Sequence, residues 1–161
     1  MSKISHYWTI VRLNAAGQIK IVEIPAAYQL LQQHFPDSEP DEAGDPLIQA
    51  RLLALLQSEP SEPTAALCLR CFISHQIVQI CTSLQSQFGD YYGFTLQDLL
   101  PYVLTDTGKL PASADCLAQQ ILQSFQPDAS SLATWTARLV RQHRELRRFP
   151  AKKLPKLLAY L

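Results

Sequence analysis

Apolar and polar positions alternate at the start of the chain and take up a helical period afterwards. Over residues 6–24, HYWTIVRLNAAGQIKIVEI, the alternation and the frequent β-branched residues predict two short strands around a turn at Asn14–Gln18. Gly17 suits a left-handed position in that turn. Two strands alone are marginal in water, so the hairpin has to lean on the rest of the chain. Pro25 suits the first turn of a helix over 26–35. The next stretch, PDSEPDEAGDP, is acidic and rich in turn residues. Leu47, Ile48, Leu52, Leu55 and Leu56 then return at helical spacing and predict a helix over 46–58. The segment SEPSEP breaks it.

The longest periodic stretch runs over 64–88, with Leu67, Cys71, Ser74, Val78, Cys81 and Leu84 at three- and four-residue steps. Gly89 reads as its stop. Thr95 caps a short helix, TLQDLLPYVL, which Pro101 is expected to end or kink. Another helix is expected over 115–125. Pro127-Asp128 makes a turn, and Ser130 or Ser131 starts a last helix running to about 149, before Pro150. The expected fold is mainly α: a multi-helix bundle with a small N-terminal β-hairpin. The acidic loop divides it into residues 1–62 (hairpin, helices and loop) and a helical part over 63–161 with a basic C-terminal helix.

Composition narrows the class. With 161 residues, 47% of them hydrophobic, the chain is long and apolar enough for one real core. No window approaches eighteen consecutive apolar residues, and MSKISHYWTIVRLN has neither a long apolar run nor a small-residue cleavage site. No membrane partner is expected, and the cytoplasm is the default compartment. Cys68, Cys71, Cys81 and Cys116 read as buried small hydrophobes in a reducing compartment. A zinc reading would use Cys68, Cys71, His75 and Cys81, but no second, separated ligand pair is visible. His6, His34, His75 and His143 sit in no catalytic motif, and no phosphate-cradling glycine loop, G-x-S-x-G or H-E-x-x-H occurs. The sequence therefore points away from an enzyme and toward no cofactor or metal.

Charge changes the picture more. The net is zero, yet residues 37–62 carry −6 and residues 121–161 carry +6. Placed on a helical wheel, SLATWTARLVRQHRELRRF sets Leu132, Trp135, Leu139, His143, Leu146 and Phe149 on one side. Arg138, Arg141, Arg144 and Arg148 share an arc of about 120° on the other, with Arg147 between. Glu145 is the one acid. Solvated faces usually mix signs, because opposite pairs at i,i+4 stabilise and like pairs repel. Guanidinium groups also grip phosphate in a bidentate way. Two readings fit: a face for nucleic acid, or a face that meets an acidic surface, on another protein or in residues 37–62. Trp135 falls on the apolar arc and also reads as a core residue.

The stretch SFQPDASSLATWTARLVRQHRELRRF resembles the second conserved region of the sigma-70 family of transcription initiation factors. Phe125, Pro127, Asp128, Ser131, Leu132, Thr134 and Trp135 match the order FxPDxxSLxTW. Upstream, FTLQDLLPYVL resembles the family's LEDLxQE helix through Leu96, Asp98, Leu99 and Leu100, with Pro101-Tyr102 in place of Gln-Glu. Together with the helix LCLRCFISHQIVQICTSLQSQFG, the resemblance covers about residues 66–149. It implies a module that binds the RNA polymerase core and promoter DNA. Leu96, Asp98 and Leu99 would dock on polymerase. Trp135, Arg138, Arg141, Arg144, Arg147 and Arg148 would meet DNA, the arginines mainly at phosphates, which position a protein without reading sequence. The family's helix-turn-helix does not follow before Leu161, as in a fragment or a single-domain relative.

Overall fold

A computed structural model of the chain describes residues 3–36 and 44–144. The architecture is mainly α-helical with a small two-stranded antiparallel hairpin near the N-terminus, as the sequence pattern predicts. After a 3-10 turn at Lys3–Tyr7, strands β1 (Thr9–Leu13) and β2 (Ile19–Glu23) pair with Val11 opposite Ile21. The turn is held by Asn14, whose Oδ1 accepts the backbone N–H groups of Ala16 and Gln18, each at 2.9 Å. Gly17 takes the left-handed conformation at φ 79°.

Helix α3 (Pro63–Leu84) is the centre of the molecule. It carries one Arg, one His and no acid, and most of its side chains are buried on all sides rather than along one stripe. By length and hydropathy the run Pro63–Tyr92 is apolar enough to cross a membrane, but 72% of its most apolar window is buried inside the protein. The hairpin leans on it, as it must. Val11 N–H donates to Ser74 Oγ at 2.9 Å, and His75 Nε2 donates to the Thr9 carbonyl at 3.0 Å. Two α3 side chains thus satisfy the edge of β1 that β2 leaves open.

Helices α1 (Pro25–His34), α2 (Asp45–Gln57), α6 (Leu117–Ser124) and α7 (Leu132–Arg141) pack around α3, with α5 (Leu96–Val103) on its far half. One core cluster runs from Ile4 and Tyr7 through Leu52 to Val140, so packing is continuous across residue 62. Tyr7, fully buried, ties the N-terminal turn to α2 by donating to Asp45 Oδ1 at 2.7 Å and accepting from Gln49 at 3.1 Å. On α2, Gln49 turns inward for this bond while Leu47 stays exposed.

Three expectations need correction. Helix α3 does not stop at Gly89. It passes through a π-helical turn at Gln85–Gly89 into α4 (Asp90–Tyr92), and Gly93 at φ 72° ends it. Pro101 neither ends nor breaks α5, which closes with Leu104 N–H on the Leu100 carbonyl at 2.8 Å. The last helix does not run on to 149. It ends at Arg141, with Gln142 at φ −90°, ψ −2° and its N–H on the Arg138 and Val140 carbonyls. The physical reason lies in packing. The buried stripe of α7 ends at Val140, Gln142 and His143 leave the helix, and Arg144 is helical again after that break.

Candidate nucleic-acid and polymerase interface

Helix α7 is entered through the turn that the sequence marks out. Ala129 N–H donates to the Gln126 carbonyl at 3.0 Å across Pro127-Asp128. Ser131 is the N-cap, its Oγ accepting Thr134 N–H at 3.1 Å. The turn lies against α2, where Pro46, Gln49 and Leu53 meet Phe125, Pro127 and Ser130 around a small cavity of about 190 Å³.

The buried face of α7 is Leu132, Thr136 and Val140, against α3. The wheel sets Trp135 and Leu139 on the apolar side; both are only half-buried, and the inward direction is turned toward Thr136 and Val140. Trp135 Nε1 donates to Ser124 Oγ on α6 at 3.1 Å. The Arg138 guanidinium carbon lies 5.6 Å from the Trp135 ring centroid, a cation–π contact. Arg138 and Arg144 are exposed, and Arg141 is half-buried. Because α7 ends at Arg141, Arg144 does not continue the Arg138–Arg141 row on one straight helix. Arg147 and Arg148 lie outside the described residues, as do the acidic positions 37–43. Of the acids that are described in the −6 region, Asp45 gives its carboxylate to Tyr7, and Asp45, Glu59 and Glu62 make no ion pair with Arg138 or Arg144.

The expected polymerase-facing residues separate by burial. Asp98 and Thr95 form a capping box: Thr95 N–H donates to Asp98 Oδ2 at 2.8 Å, and Thr95 Oγ1 does so at 3.1 Å. The carboxylate therefore has a structural task at the N-terminus of α5. Leu96 is half-buried, and its N–H donates to Gln85 Oε1 at 2.7 Å. Leu99 is fully buried in the core, which corrects its placement as a docking residue: its side chain has no surface to offer.

Sequence reasoning did not find the buried ion pair on α3. Arg70, on α3, is 1% exposed and forks onto Asp106 in the connection after α5, with Nε to Oδ2 at 2.8 Å and Nη2 to Oδ1 at 2.6 Å. Nη2 also donates to the Lys109 carbonyl at 3.0 Å. A single arginine inside a 22-residue helix with no acid was the available signal. All four cysteines are buried and unpaired; burial pushes the Cys68 and Cys81 thiols up to about 12 and raises Cys71 and Cys116 as well. Such thiols are poor nucleophiles and poor metal ligands. Among the described residues no group of three His, Cys, Asp or Glu is placed to hold a metal ion. His75 stacks on His6 with ring centroids 4.0 Å apart, and burial together with that neighbour pushes it down to about 4.

No family model matches the chain, and no match was found among curated proteins or solved structures.

Proposed function

We propose that this chain is a non-enzymatic, transcription-related helical module of the sigma-factor-like kind, binding promoter DNA through the arginine side of α7 and the RNA polymerase core beside α5. The observation that carries the reading is the pairing of motif and surface at one place. The Phe125–Ser131 turn and Ser131 cap launch α7, which has no acidic residue and ends with Arg138 exposed and Arg144 exposed just beyond it. Guanidinium groups with no acidic neighbour on the same helix suit phosphate binding. In this reading Arg138, Arg144, Arg147 and Arg148 meet phosphates, Arg141 lends partial support, and polymerase docking falls to the half-exposed Leu96 and its surface neighbours rather than to Leu99. The cytoplasm is the compartment this role requires.

A second reading places an acidic protein on the same face. It draws on the Arg138–Trp135 contact, because a guanidinium over the ring occupies the surface on which a base would stack.

A salt series separates the two. For DNA, log affinity for duplex or bubble probes falls linearly with log salt. Arg138→Ala with Arg144→Ala lowers the slope by about one for each phosphate that the variant no longer meets. Absence of binding to either probe at low salt, with residues 37–43 deleted, removes the DNA reading. Failure of the parent chain to retain polymerase core removes the docking reading, and undiminished retention by the Leu96→Ala variant removes Leu96 from it.

A further inference from the structure

A second site lies away from α7. The end of α2, the start of α3, the connection before α6, and α6 itself line an open cavity of about 470 Å³. That volume is in the range of small-molecule pockets. Its walls are apolar: Leu56, Pro63, Ala66, Leu110 and Ala112. Ser61, on the rim, has its hydroxyl committed to the Leu56 carbonyl at 2.8 Å. Two lining residues bring hydrogen-bonding capacity, Gln119 from α6 and Arg70 from α3.

Arg70 decides the chemistry. Its Nε and Nη2 are taken by Asp106 and the Lys109 carbonyl, while Nη1 is buried with no hydrogen-bond partner in the protein. In a guanidinium the Nε–Nη2 edge and Nη1 lie on opposite sides, so Nη1 points away from Asp106. A buried N–H without an acceptor is costly, and an acceptor delivered by a ligand relieves that cost. The charge is a different matter. Asp106, 2% exposed, already neutralises Arg70. A second carboxylate or phosphate would place a net negative charge beside Asp106, against mostly apolar walls. A cation would meet the guanidinium.

We propose that this cavity binds a small, uncharged, mainly apolar molecule carrying a carbonyl-type acceptor, with its hydrocarbon body against Ala66, Leu110 and Ala112 and its oxygen on the Arg70 guanidinium. The site is independent of the DNA-binding reading and shares no residue with it.

The test uses the full ¹⁵N-labelled chain and three probes with the same ring: cyclohexanone, cyclohexanecarboxylate and cyclohexylammonium. Cyclohexanone is expected to shift the amide signals of Leu110, Ala112 and Gln119 saturably, and the Arg70 Nε–H signal with them. The carboxylate and the ammonium bind at least about tenfold more weakly. Ala66→Phe, which fills the cavity from α3, and Ala112→Phe, which fills it from the loop, each weaken cyclohexanone by at least about tenfold while the far-ultraviolet circular dichroism is kept. The proposal is overturned if cyclohexanone gives no saturable shift or if the carboxylate binds as tightly. It is equally overturned if either filled variant folds and keeps the parent affinity.

Discussion

Helices α3 and α7 both carry arginine, and they use it in opposite ways. On α3, Arg70 lies inside the protein, forked onto Asp106 and capped by the Lys109 carbonyl, at the floor of a cavity. On α7, Arg138 is exposed with its guanidinium over the Trp135 ring, and Arg144 stands exposed beyond the end of the helix. The same side chain is a buried structural member in one helix and a surface charge in the other. The surroundings, and not the residue type, set the role. Helix α3 is apolar nearly all round, so a charge on it has nowhere to go but inward and needs a partner there. Helix α7 has a buried stripe of three residues, and Arg138 falls on its exposed side while Arg141 is half-buried.

The sharpest way to break this contrast is to remove one half of the buried pair. Asp106→Ala leaves a buried guanidinium without its counter-charge and is expected to cost about 3–5 kcal/mol. Chemical denaturation read by circular dichroism checks it. Replacing both partners, Arg70→Met with Asp106→Leu, is expected to recover most of that loss, because the penalty belongs to the unpaired charge more than to the missing bond. If the single and double variants are equally unstable, Arg70 is held by packing and not by its pairing.

Next in size is the acid response of the hairpin anchor. His75 sits near 4 in the folded protein against about 6.5 in the unfolded chain, so the unfolded state binds more protons between those values. Stability is therefore flat above about pH 6.5 and falls as pH drops through the window toward 4, by about 2 kcal/mol after screening by solvent. His6 is lowered too and lies on the same ring stack, which steepens the fall. His75→Gln keeps a donor for the Thr9 carbonyl without a titrating ring. It should flatten denaturation midpoints measured between pH 4 and 7. An unchanged slope would assign the acid response elsewhere.

Much of the fold was legible because its signals are local. The turn at Asn14–Gln18, the Thr95 and Ser131 caps and the apolar repeats all act within five residues, and the sequence displays them directly. The candidate site was legible only in part. Leu99 looked like a docking residue because a motif names a position and not a direction; α5 turns it into the core. Arg70 and Asp106 are 36 residues apart, and nothing local links them. The end of α7 at Arg141 carries no proline or glycine, so no local residue signal marks it. Asp98→Ala makes the distinction between motif and structure measurable. Loss of the reciprocal cap is expected to cost about 1 kcal/mol whether or not polymerase is a partner. A stability loss with undiminished polymerase retention would leave Asp98 a capping residue alone.

The smallest expected effect lies on the other side of the comparison. Arg138→Ala and Arg144→Ala together should change stability by less than about 0.5 kcal/mol, since neither side chain is buried and the contact of Arg138 with Trp135 is partly solvated. Thermal melts of the double variant against the parent chain read this directly. A near-zero stability change together with weakened DNA affinity would mark α7 as a surface kept basic for a partner. A loss above about 1 kcal/mol would mean that these arginines, like Arg70, hold the fold together. In that case the opposition between the two helices would collapse: the basic side of α7 would be structural, and the charge on residues 121–144 would no longer argue for an external polyanion.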